Sequence, residues 1–104
     1  MKQIKTFKDF KWRNEFSLWH GILEVYDINS KKLTVSLCAG TTAYSLPRTF
    51  LNNVNNYTAF EVCIWDDKKN IQTNYYYPSD YEKDVLGYKN VKKINNLLTK
   101  IQLK

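Results

Sequence analysis

An α+β fold is predicted for this 104-residue chain: a small antiparallel sheet of four to five strands, built as two hairpins, with a short N-terminal helix and an amphipathic C-terminal helix. Three observations predict it. Two pairs of apolar, aromatic and β-branched runs are each joined by turn-forming residues, the pattern of hairpins. Val91, Ile94, Leu97, Leu98 and Ile101 recur at spacings of three and four, one face of a helix. No internal repeat or linker divides the chain, so one compact domain over 1–104 is expected.

The elements follow in order. Thr6 reads as an N-cap with Asp9 in the first turn, which suits a short helix over residues 7–16, although Phe7, Phe10, Trp12 and Phe16 form no clean stripe. The run 18–27 is rich in aromatic and β-branched residues and reads as a strand. Asn29, Ser30 and Lys31 supply turn chemistry, and residues 33–38 alternate apolar with small polar residues as a half-buried strand does. After a turn at 39–41, residues 42–46 are expected as a short third strand. Pro47 is then expected to open a helical turn running to Val54, with Phe50 and Leu51 on its apolar side. Residues 59–65 alternate, placing Phe60, Val62 and Ile64 on one face and Trp65 on the other. Asp66 to Asn70 form a turn, and 71–77 the partner strand, ended by Pro78. Ser79 and Glu82 match a capping box, predicting a short helix that Gly87 ends.

Composition sets the function classes. The formal charge is +6, but it is unevenly placed: residues 1–13 carry +4, residues 14–82 carry −3, and residues 83–104 carry +5. The chain therefore has two basic ends around a mildly acidic middle. With 14 Lys to 2 Arg and 11 Asn, 8 Tyr and 7 Ile, the usage is that of an AT-rich bacterial or phage genome, so lysine richness is weaker testimony for nucleic acid than arginine richness is. No apolar run approaches the roughly 20 residues of a membrane helix, and the N-terminus lacks the apolar stretch of a secretory signal. Cys38 and Cys63 show no framework spacing and are expected reduced, in a cytoplasmic setting.

Chemistry is hard to build from these residues. The single histidine, His20, lies in a predicted strand and has no nucleophile motif around it in sequence. One His and two distant Cys lack the pairing of a zinc site, and Gly21, Gly40 and Gly87 are too scattered for a phosphate loop. Asp66 with Asp67, and Asp80 with Glu82 and Asp84, read as turn and helix-start acids. No enzyme, metal, cofactor or small-molecule substrate is expected.

Binding is the better lead. Tyr75, Tyr76 and Tyr77 must alternate faces along a strand, so at least one ring points away from a one-sided core. Trp12, Trp19 and Trp65, with Arg13 beside Trp12, add rings and a planar cation of the kinds that anchor protein interfaces. These seven are the candidate partner-binding residues. Lys5, Lys8, Lys11, Lys89, Lys92 and Lys93 are the candidates for phosphate contact. The expected function is a phage or mobile-element accessory protein that inhibits a host defence protein or ribonucleoprotein by binding, as anti-CRISPR proteins do. The alternative is a basic RNA- or DNA-binding domain. A +6 chain is no acidic DNA mimic.

Overall fold

The period-2 burial of three long runs builds a sheet with one wet and one dry side. The structure, a computed structural model, describes residues 4–69, 71–72 and 86–103. Strands β1 (Lys11–Glu15), β2 (Leu18–Tyr26), β3 (Lys32–Gly40) and β4 (Phe60–Asp66) pair antiparallel in sequence order. The far edge of β4 is shared by β5 (Ile71–Gln72) and β6 (Leu86–Lys89), so the described residues form six strands where four to five were expected. Helix α1 (Val91–Leu103) follows, and the class is α+β as its residues imply. Leu23 and Val25 of β2, Leu33, Val35 and Leu37 of β3, and Phe60, Val62 and Ile64 of β4 are all buried on one side. Ile94, Leu97, Leu98 and Ile101 of α1 close the same core. Asn90 caps the helix, its side-chain oxygen accepting the Lys93 N–H at 2.8 Å.

The N-terminal segment is clamped onto α1. Buried Gln102 acts as a strand mimic: its Oε1 accepts the Lys5 N–H at 2.9 Å, and its Nε2 donates to the Lys5 carbonyl at 2.8 Å. Asn95 Oδ1 accepts the Phe7 N–H at 2.8 Å. These bonds satisfy backbone groups that no strand reaches.

Four local expectations are corrected. The helix over 7–16 is a single 3-10 turn, Phe7–Asp9, followed by β1. The Asp9 carboxylate does accept the Thr6 N–H at 2.8 Å, but Phe10 is already extended (φ −66°, ψ 143°). An alternating run that buries Trp12 wins over a helix that has no stripe to bury. The strand at 42–46 reduces to one bridge, Leu46 to Ala59. The helical turn from Pro47 does not form, because its backbone is held by side chains: Trp19 Nε1 donates to the Leu51 carbonyl and the Leu51 N–H donates to Tyr57 Oη, each at 2.8 Å. A 3-10 turn forms later, at Val54–Asn56, with Asn53 accepting the Asn55 N–H. Gly87, expected to end a helix, sits in β6. The helix expected from Ser79 and the return strand beyond Gln72 lie outside the described residues.

Two close approaches fix the hairpins. Gly21 pairs with Trp12, and a Cβ there would lie 2.9 Å from the indole ring. Gly40, at φ 146°, could carry a Cβ only 2.5 Å from the Ser17 carbonyl oxygen. At the opposite end of the sheet, buried Asp66 accepts the Lys68 and Lys69 N–H groups and meets Lys31 Nζ at 2.7 Å. That ion pair ties the β2–β3 turn to the β4–β5 turn.

Two outcomes follow from these contacts. Gly21→Ala should cost about 1–3 kcal/mol in urea unfolding by overpacking against Trp12, and a double-mutant cycle with Trp12→Leu should show the two coupled. The Lys31 ammonium, bonded to Asp66, holds that carboxyl below its usual range. Its contribution is therefore complete above the unfolded carboxylate pKa and lost as pH falls through the depressed folded value. Asp66→Asn keeps an acceptor for the turn, so its melting point should lie below the parent's at pH 7 and converge on it in acid. A gap that persists unchanged in acid would contradict the ion pair.

Candidate functional site

No helix covers the second side of the sheet among the described residues, and strand register sets what it displays. One row reads Lys11, Ile22, Ser36, Cys63 across β1 to β4. The next toward the β1–β2 turn reads Arg13, His20, Cys38, Glu61. In the other direction Glu24, Thr34 and Trp65 align, and beyond them Tyr26 pairs with Lys32. The apolar members are substantially exposed: Ile22 43%, Tyr26 47% and Trp65 37%. Isolated exposed apolar residues are ordinary; these three share one face of the sheet, with Glu24, Thr34 and Ser36 between them.

A polar cluster lies among them. Thr34 Oγ1 donates to the Asp67 carboxylate at 2.9 Å. Lys32 Nζ lies 3.4 Å from Glu24 and 3.8 Å from Asp67, and its hydrogen bond and attraction to Glu24 raise its pKa. Across the face Lys11, Arg13 and Lys32 stand against Glu15, Glu24 and Glu61. The open face is thus close to neutral. Tyr44 and Tyr88, with rings 5.9 Å apart and Arg48 stacked 4.9 Å over Tyr44, form a second exposed aromatic group. It adjoins the face through the Tyr44 N–H, which donates to Glu61 at 3.2 Å.

The fold also makes a pair that sequence spacing hides. Register puts His20 beside Cys38, with Sγ 3.5 Å from Nδ1. A nucleophilic cysteine needs a thiolate at working pH. Here burial, with Glu61 adding repulsion, pushes the Cys38 thiol up to about 11. At neutral pH roughly one molecule in ten thousand would carry the thiolate, so this His–Cys contact is not an activated dyad. Neither Cys38 nor Cys63 is in a disulfide, and among the described residues no three His, Cys, Asp or Glu side chains are grouped to hold a metal ion.

The candidate residues divide among three places. Trp65 and Arg13 stand on the open face, with Lys11. Trp12 turns inward, its ring centroid 5.6 Å from Phe60 and 5.8 Å from Phe7. Trp19 is also half-buried, stacked on Phe50 and bonded to the Leu51 carbonyl, where it holds the loop. Tyr75, Tyr76 and Tyr77 lie outside the described residues. Lys5, Lys8, Lys92 and Lys93 are exposed on the helix side, and Lys89 is half-buried in β6. The Lys5–Gln102 and Phe7–Asn95 bonds are what bring the two basic ends together. The ends share the helix side only in part, because Lys11 and Arg13 turn to the sheet face. Ile22, Tyr26 and Lys32 were not among the candidates; strict alternation through 18–26 and 32–38 is the signal that places them outward.

Compared with known proteins, the chain matches no protein-family model, no curated protein and no solved structure.

In a Cys63→Ser background, Cys38 should resist iodoacetamide at pH 7–8 and alkylate with a midpoint near its raised value of about 11. Rapid labelling at pH 7 would show a thiolate and reopen nucleophilic chemistry at this face.

Proposed function

We propose that this is a non-enzymatic binding protein that docks a protein partner on the open face of its sheet. The observation that carries this reading is the exposure of Ile22, Tyr26 and Trp65 on one face of the sheet, set among charges of both signs. Large amphipathic rings in such a setting are typical interface anchors, whereas a phosphate-binding platform would carry an excess of cations. Within that class, we assign it as a phage or mobile-element accessory protein, anti-CRISPR-like, inhibiting a host defence protein or ribonucleoprotein in the cytoplasm. Size, AT-rich residue usage and the absence of a disulfide between Cys38 and Cys63 support this assignment. No helix among the described residues is long and apolar enough to cross a membrane.

A specific observation favours a second reading. Lys5, Lys8, Lys92 and Lys93 are exposed on the helix side, and α1 itself contains no acid. RNA or DNA would then bind away from the sheet face, on the helix layer.

One set of variants separates the two. Trp65→Ala and Tyr26→Ala should each weaken a partner retained after nuclease treatment by about 30-fold, the scale of an interface hot spot, while Lys92→Glu leaves it unchanged. Retention at parental affinity would refute sheet-face docking. For the helix-side reading, binding to single-stranded RNA should weaken with salt at a log–log slope of about −3 if four phosphates are neutralised; a flat slope removes it.

A further inference from the structure

The outer edge of the sheet is the starting point. β1 pairs with β2 on one side only, and no described strand lies on its other side. Its link to β2 is a two-residue turn, so the closing pair Glu15–Leu18 exchanges backbone hydrogen bonds, as do Arg13–His20 and Lys11–Ile22. The backbone groups of Trp12 and Asn14 therefore point away from β2, toward the open edge. Such an edge pairs with another strand unless something blocks it. β1 contains no proline or bulge, and its outer face carries two cations, Lys11 and Arg13, followed by one carboxylate, Glu15.

We propose that β1 pairs antiparallel with β1 of a second copy of this chain, in the register centred on Asn14. A two-fold axis through that position lets each Asn14 exchange both backbone hydrogen bonds with its counterpart, using the groups that β2 leaves unused. The same register sets Arg13 directly opposite Glu15 of the second copy, twice, on the sheet's outer face. Among the described residues neither side chain has an ion-pair partner within its own chain. Electrostatics selects this register over its neighbours. Centring on Arg13 would set two guanidinium groups face to face, and centring on Trp12 would set Lys11 against Arg13; directly opposed like charges destabilise a strand pair.

The proposal also accounts for Phe16. This residue is 93% exposed and held at φ 54° beside Ser17 at φ 60°, a conformation that a bulky residue adopts only under constraint. Asn-Gly is the sequence such a turn prefers. In the Asn14 register, Phe16 at the turn arrives opposite Trp12 of the second copy, whose ring is only half-buried by its own core. Because the axis is perpendicular to the sheet, both open faces would lie on the same side of one continuous sheet made of two six-stranded halves. The inference is independent of what docks on that face.

A single strand pair with one aromatic contact lies at the small end of specific interfaces, under about 1,200 Å² in total, so self-association should be in the micromolar range and salt-sensitive. Sedimentation velocity of the full chain from about 5 to 500 μM would read it directly. The parent should pass from monomer to dimer across that range. Arg13→Glu and Glu15→Arg should each weaken dimerisation about tenfold or more, by opposing like charges at two symmetric positions, and the double swap should return it to near the parental midpoint. Asn14→Pro, which removes an outward N–H while leaving the β2 ladder intact, should give monomer only. Circular dichroism of each variant checks that the hairpin still folds. A parent that stays monomeric throughout, an Arg13→Glu chain that dimerises normally, or a double swap that fails to recover would each overturn the proposal.

Discussion

Among the described residues one α-helix covers a six-stranded sheet, and it covers only one side. α1 is 13 residues long, and its buried positions meet the inward-facing members of β2, β3 and β4. The second side has no comparable apolar row to bury; it alternates polar residues with a few rings. This one-sided arrangement is common for antiparallel sheets, where wet and dry faces coexist because side chains alternate. It makes the location of the proposed docking face a consequence of packing. The short N-terminal segment completes the dry side, and the Gln102 and Asn95 amides let it do so without a strand of its own.

The same arrangement sorts the charge. Among the described residues the helix side carries exposed lysines, whereas the open face mixes Arg13, Lys11 and Lys32 with Glu15, Glu24, Glu61 and Asp67. Net charge alone therefore describes neither surface. The proposed protein partner would use the mixed face, since desolvated rings among polar groups give affinity while paired charges set orientation. Anions suit the helix side. The two properties sit on opposite layers of one sheet.

Several residues that look chemical have structural work in this fold. Asp66 is drawn below its usual titration range to bind Lys31 and hold two turns together. Cys38 meets His20 only because both point outward from paired strands, and its burial keeps the thiol protonated. Trp19 and Trp12, the rings most tempting as anchors, hold a loop and close the core beside Gly21. Trp65 is the tryptophan left to the surface, as its position between Ile64 and Asp66 on an alternating strand implies.

The α+β class, the hairpin of residues 18–38, the strand carrying Phe60, Val62 and Ile64, and the C-terminal helix were all legible in the sequence, because each rests on a local period that a linear chain displays. The same periodicity placed Trp65 outward. What local pattern could not decide was competition between neighbours. Whether residues 11–15 became helix or strand depended on pairing with residues 18–22, and whether Leu51 sat in a helical turn depended on the indole of Trp19, 32 positions away. The proximity of His20 to Cys38, the union of the two basic ends and the unpaired edge of β1 are likewise products of register and docking. Sequence by itself determined which segments bury a face; tertiary structure alone decided which faces meet, since contacts between distant segments are set by the shared core.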